Sequence, residues 1–285
     1  MKRRFDHRRP PAPVPAAPVS RVVTSLTNPL VKDIRALEMR KVRQEAGLFV
    51  VEGLKLVADA IENGWPIRIL VHRTGEDKPM LTHAIAATAR AGGEVLEVTG
   101  EILEKLSRRD NPQTVIGVFE QRLERFADVA LRGDDLWIGL DRVRDPGNLG
   151  TVIRTADAVG AKGVMLIGDT TDPFGLEATR ATMGSIFNVR LAAGSAAEFL
   201  AWRKGFAGRI TGTHLAGTHD YRDVDYGGAN LLLMGNEQQG LPDDLAAACD
   251  TLVKIPMRGQ ADSLNLAVAT GVMLFEMARR HLRLG

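Results

Sequence analysis

Between Leu136 and Arg154 the chain reads LWIGLDRVRDPGNLGTVIR. An apolar run, Leu136–Leu140, passes through a polar turn holding Asp145, Pro146, Gly147 and Asn148. A helical pattern then begins at Leu149 and soon carries Arg154. A buried strand that turns sharply into a helix places open backbone amides and polar side chains together at one edge of a sheet. That edge is where α/β proteins gather their ligands. A second run, Leu231–Met234, is apolar without alternation, as suits a parallel strand buried on both faces.

Strand and helix patterns alternate along most of the chain, which predicts an α/β fold. Residues 21–120 form the first expected unit. It opens with an amphipathic basic helix over Leu30–Arg43, in which Leu30, Ile34, Leu37 and Val42 recur near helical spacing among Lys32, Arg35, Arg40, Lys41 and Arg43. A helix over Leu54–Glu62 follows Glu52-Gly53, then a strand at Ile67–His72, a helix at Leu81–Ala91, and strands at Glu94–Val98 and Val115–Phe119. A charged connector covers residues 121–134. The second unit, residues 135–285, should carry strands at Leu136–Leu140, Gly163–Ile167, Arg209–Thr213, Leu231–Met234 and Leu252–Ile255. Its expected helices are Leu149–Val159, Gly175–Met183, Ala196–Lys204, Asp243–Ala248 and Asn265–Leu282.

Charge is distributed unevenly. Lys2, Arg3, Arg4, Arg8 and Arg9 against Asp6 give the first 20 residues +4, leaving −2 for the rest of a chain whose total is +2. A polyanion would therefore be held by local patches and this tail, not by a globally basic surface. Five prolines between Pro10 and Pro18 make the tail extended, either as a solubilising leader or as an arm for nucleic acid. No apolar run approaches the roughly 18 residues of a membrane span. One cysteine, Cys249, excludes an internal disulfide and a cysteine-rich zinc site. The expected setting is cytoplasmic, with no membrane and no metal.

Several chemistries drop out. There is no G-x-x-x-x-G-K-[ST] loop, and Gly147–Gly150 lacks the full G-x-G-x-x-G, so a dinucleotide-dependent enzyme is only weakly suggested. His214 and His219 have no carboxylate at metal spacing, and Cys249 has no nearby base in sequence. Three glycine- and amide-rich turns remain, each after an expected strand: Asp145–Gly150, Gly235–Pro242, and Ile255–Gly259 with Asp262–Asn265. Singly, each could be a structural turn, with Asn148 or Asn265 capping a helix. At the carboxyl ends of strands in one sheet they would form a single polar crevice.

These turns resemble the three motifs of the SpoU/TrmH class of SPOUT RNA methyltransferases. The DPGNxG turn followed by I-R-T-A is met by Asp145–Gly150 and Ile153–Ala156. The G-N-E-x-x-G-L pattern is met by Gly235–Leu241, and I-P-M-x-G…S-L-N by Ile255–Gly259 and Ser263–Asn265. The resemblance implies an α/β trefoil-knot domain with a mostly parallel sheet, preceded by a small α/β RNA-binding domain. It implies methyl transfer from S-adenosylmethionine to a ribose 2′-hydroxyl of RNA, with large-subunit (23S) rRNA favoured over tRNA, by a homodimer. Asn148, Arg154, Glu237, Ser263 and Asn265 fall on the catalytic positions. Thr213, Gly235, Asn236, Gly240, Ile255, Met257 and Leu264 fall on the donor-binding ones. A non-catalytic RNA-binding protein of the same fold is the rival reading.

Arg154 is the family's proposed base, yet an arginine in a protein is effectively always protonated. A helix dipole eases deprotonation by only about 1 kcal/mol, under one pKa unit. The preferred account has Arg154 stabilise developing negative charge while a phosphate or water takes the proton.

Overall fold

The computed structural model describes residues 20–107 and 111–283; the basic tail of residues 1–19 lies outside them. The N-terminal unit runs β1 (Arg21–Val23), α1 (Pro29–Ala36), α2 (Arg40–Ala46), β2 (Leu48–Glu52), α3 (Leu54–Glu62), β3 (Ile67–Arg73), α4 (Pro79–Arg90), β4 (Glu94–Val98), α5 (Gly100–Ser107) and β5 (Val115–Glu120). Its sheet has the order β1-β4-β3-β5-β2. β1, β4 and β3 are parallel, and β5 is antiparallel to both of its neighbours.

The C-terminal unit runs β6 (Leu136–Asp141), α6 (Pro146–Ala158), β7 (Gly163–Ile167), α7 (Leu176–Ala181), β8 (Arg190–Gly194), α8 (Ala196–Arg203), β9 (Arg209–Thr213), β10 (His219–Asp220), β11 (Asn230–Met234), α9 (Asp243–Ala247), β12 (Thr251–Lys254) and α10 (Leu266–Met277). The seven-stranded order is β10-β12-β9-β11-β6-β7-β8, and every pairing is parallel. All five residues of β11 are buried, which explains its unbroken apolar run. The chain builds β7 and β8 on one side of β6, then crosses to place β9, β12 and β10 on the other, with β11 filling the gap beside β6. The β6/β11 boundary is thus a topological switch point. The loops after β6 and β11 diverge there and leave a crevice at the carboxyl edge.

The single basic helix expected over Leu30–Arg43 is two helices, α1 and α2, with an extended Met39 before α2. The corner exists because Arg43 is buried. Its guanidinium donates to the carbonyls of Leu37 (2.8 Å) and Glu38 (2.6 Å), which the end of α1 leaves open, and pairs with Asp172 of the C-terminal unit at 2.7 Å. The expected connector is likewise packed. Glu124 exchanges backbone bonds with Leu191 and Ala193 of β8, and Phe126 and Val129 are buried, so the segment covers the outer edge of the sheet.

The two units share one core. Phe49, Trp65 and Phe119 interlock with Phe174 and Phe187, with Trp65 and Phe187 edge-to-face at 5.4 Å and the Trp65 indole N–H donating to the Phe187 carbonyl at 3.1 Å. Arg180 adds bidentate bonds to Glu52 at 2.9 and 3.0 Å. The Arg43 and Asp172 side chains are only 8% and 11% exposed, so Arg43→Ala would strand a carboxylate at the junction. We expect a loss of about 3 kcal/mol in urea unfolding, whereas Lys32→Ala on the exposed side of α1 should change stability by less than about 0.5 kcal/mol.

Candidate active site

Helix α6 begins earlier than its apolar pattern suggests. Pro146 occupies its first turn, and Asp145 is the N-cap, accepting from the Asn148 N–H at 2.6 Å. Asn148 is therefore inside the helix rather than its cap, and its side chain is released for other work. The Asn148 amide Nδ2 donates to Glu237 Oε1 at 3.2 Å, and its Oδ1 accepts from Asn265 Nδ2 at 3.0 Å. One amide thus joins the turns after β6, β11 and β12. Asn265 does cap α10, its Oδ1 accepting from the Ala267 and Val268 N–H groups, while its Nδ2 reaches the crevice. Glu237 is oriented by Asn148 and by Asn236 Nδ2 at 3.4 Å, not by Arg154 or by backbone amides.

The turn after β11 folds back on itself, with Asn236 and Gly240 exchanging backbone bonds at 3.1 and 2.9 Å. A Cβ on Gly235 would lie 2.1 Å from the Gly240 carbonyl carbon, so only glycine permits the closure. Asn236 Oδ1 accepts from the Gln238 and Gln239 N–H groups, and its Nδ2 donates to the Arg142 carbonyl at 2.9 Å. Arg142 adopts φ 47°, a left-handed conformation rare outside glycine. Its guanidinium bridges the buried Asp141 carboxylate (2.9 Å) and Gln239 Oε1 (3.0 Å), and so fastens this loop to the end of β6.

The loop roofs a crevice of about 410 Å³, within the range of small-molecule sites. Thr213, Gly235, Asn236, Gly240, Ile255, Met257 and Leu264 all line it, together with Glu237 and Ser263. An adjoining cavity shares Glu237, Ser263 and Leu264, and adds Asp145, Asn148 and Asn265. The Ser263 hydroxyl donates to Asp262 at 3.3 Å. Leu215, Met257 and Leu264 give apolar walls, and Glu237 and Asp262 bring carboxylates to the same space. That combination fits a nucleoside bearing a cationic group, as S-adenosylmethionine does.

Arg154 stands apart. It is exposed on α6, lines neither cavity, and makes no side-chain hydrogen bond or ion pair among the described residues. Sequence reasoning passed over Arg142, Leu215 and Lys254, weighed His214 only as a metal ligand, and assigned no role to Gln239 or Asp262 within their turns; all but Arg142 line the crevice. Leu215 and His214 carry no motif signal; only the position of Arg142 between a buried strand and the first turn could have marked it. Burial pushes the Cys249 thiol up to about 12, and it donates to the Leu245 carbonyl, as a packed thiol does.

The fold and the three joined turns define a nucleotide-handling α/β enzyme with its site at the sheet's carboxyl edge. Comparison with known proteins makes this specific. Residues 135–275 match the SpoU rRNA Methylase family, and residues 28–117 match the MRM3-like substrate binding domain. The chain is 32% identical over 272 residues to the 23S rRNA (uridine(2479)-2′-O)-methyltransferase of Streptomyces viridochromogenes, covering 93% of this chain and 94% of that one. It is 27% identical to the 23S rRNA (guanosine(2553)-2′-O)-methyltransferase RlmP of Bacillus subtilis, over 90% of this chain and 98% of that one. The AdoMet-bound rRNA methyltransferase from Sinorhizobium meliloti superposes with a TM-score of 0.88 at 52% identity, covering 93% and 99% of the two chains. The chain belongs to the SpoU rRNA methylase family.

Gly235→Ala should force the Asn236–Gly240 pairing apart, lowering stability by about 1 to 3 kcal/mol in urea unfolding, and weaken S-adenosylmethionine binding more than tenfold. Calorimetric titration checks it, and unchanged affinity would remove the roof loop from donor binding.

Proposed function

We propose that this chain transfers the methyl group of S-adenosylmethionine to a ribose 2′-hydroxyl of large-subunit rRNA. The observation that carries the reading is the Asn148 amide bonded at once to Glu237 and Asn265, which unites the three family turns in one crevice. When bound, S-adenosylmethionine supplies an electrophilic methyl carbon on a sulfonium. Gly235, Asn236, Gly240, Ile255, Met257 and Leu264 would hold it, with Thr213 at the β9 end. Asn148, Ser263 and Asn265 line the adjoining cavity and would seat the acceptor ribose. Such a transfer needs the acceptor oxygen in line at near-attack distance, and three cross-bonded turns fix that geometry before substrate arrives.

In this reading residues 21–120 are the RNA-substrate domain, 121–134 the connector and 135–285 the catalytic domain. The expected setting is the cytoplasm; no helix among the described residues is long and apolar enough to cross a membrane. The working form is a homodimer. Support comes from α10, where Val268, Gly271, Val272 and Phe275 form a stripe at i, i+3, i+4 and i+7. Val268 and Phe275 are 54% and 52% exposed. An apolar helix face of that kind calls for a partner. Beside it, α6 presents Thr151, Arg154 and Ala158 to solvent, and Thr155 lies against Gly271. A second copy seated there would carry Arg154 toward an acceptor site, where a fixed guanidinium stabilises the developing alkoxide.

Two outcomes check this reading. Phe275→Glu should convert a dimer to a monomer in light scattering and abolish methyl transfer while leaving the chain folded. Arg154→Lys should keep S-adenosylmethionine affinity and lose most of kcat, measured as tritiated methyl transfer to rRNA from a strain lacking the gene. Full activity in the lysine variant would dismiss any special role for the guanidinium.

A further inference from the structure

Arg144 directly precedes Asp145, the cap that sets α6 and Asn148 in place. It lines neither cavity. Its guanidinium instead reaches the loop after β7 and donates to Asp169 Oδ2 at 2.7 Å. Arg40, the first residue of α2 in the N-terminal unit, approaches the other oxygen of the same carboxylate at 3.8 Å. Two cations from two units therefore converge on one anion, leaving a local charge of +1.

Stability does not account for the arrangement. The side chains of Arg40, Arg144 and Asp169 are 48%, 61% and 67% exposed, and pairs so open to water contribute little. The junction is already locked three residues further on by the buried Arg43–Asp172 pair. Yet the frame beneath is firm. Thr171 N–H donates to the Val143 carbonyl at 2.8 Å and Arg142 N–H to the Ile167 carbonyl at 2.9 Å, lacing the two loops together. Arg43 ties α2, and with it Arg40, to the same loop. One guanidinium nitrogen of each arginine, Arg144 at 2.7 Å and Arg40 at 3.8 Å, thus faces a single point now taken by a carboxylate, which a phosphodiester can replace with its own pair of oxygens.

Building on RNA as the substrate, we propose that Arg40 and Arg144 clamp one RNA backbone phosphate at the junction of the two units. Asp169 is the internal occupant which that phosphate displaces. Displacement is cheap because Asp169 swings from a solvated pair into water. A phosphate held beside the acceptor turn would fix the register of the strand relative to Asn148 without reading its sequence.

The test uses the full chain, an in-vitro transcript of large-subunit rRNA, and filter binding from 50 to 200 mM KCl. Asp169→Asn should tighten binding by about threefold, the value of an exposed ion pair. Arg40→Ala and Arg144→Ala should each weaken it. Because both serve one phosphate, the double variant should reduce the slope of log K against log salt by about 0.7 to 0.9, the share of a single phosphate. Asp169→Asn placed in that double variant should no longer tighten binding, which separates the clamp from a general change of charge. S-adenosylmethionine affinity should be the parent's throughout. The clamp is overturned if Asp169→Asn binds RNA no more tightly, tightens equally without the arginines, or if the arginine variants keep the parental slope. A parent chain that binds no RNA would overturn the substrate reading and the clamp together.

Discussion

The Asn148 side chain is the contact on which the site depends. An amide offers a donor and an acceptor at opposite corners of one rigid plane, and here each is engaged by a different turn. Removing it leaves Glu237 and Asn265 without their common partner, and three loops lose their mutual register. The amide is free for this role only because Asp145 takes over the capping of α6. Capping, helix start and crevice geometry are therefore one problem, solved by the four residues Asp145, Pro146, Gly147 and Asn148.

The parallel sheet makes that solution possible. Strands that all run one way deliver their loops to one edge, and the crossover between β6 and β11 opens that edge instead of covering it. The roof over the crevice is then a matter of local chemistry. Gly235 allows a chain approach that no side chain would tolerate, and the left-handed Arg142 spans from a buried carboxylate to the roof loop. A strained residue that bonds two elements of a site is the kind of local cost that function sustains.

Much of this was legible in the sequence, for identifiable reasons. Buried parallel strands such as Leu231–Met234 lack alternation, and the three turns carry their glycines and amides at fixed spacing, so strand positions and most crevice-lining residues could be read directly. β8 was missed because Arg190–Gly194 is short and alanine-rich, and β10 because two residues hold no period. The Leu30–Arg43 segment reads as one amphipathic basic helix because a charged residue at helical spacing reads as surface. That Arg43 is buried follows from a partner 129 positions away, which no local pattern contains. The solitary placement of Arg154 is of the same kind. Its motif position suggests a role, yet its side chain lines neither cavity, and no local pattern foretells that.

The junction between the units has a consequence for how a substrate is chosen. Phe49, Trp65 and Phe119 are interleaved with Phe174 and Phe187, and two arginine–carboxylate pairs bracket that packing. Such a joint has no hinge. An enzyme built this way works as a fixed gauge: the span between its RNA-facing unit and its reactive crevice is set at folding. On the proposed reading, any adjustment would fall to the nucleic acid, and a target would be selected by how readily its backbone bends to that span.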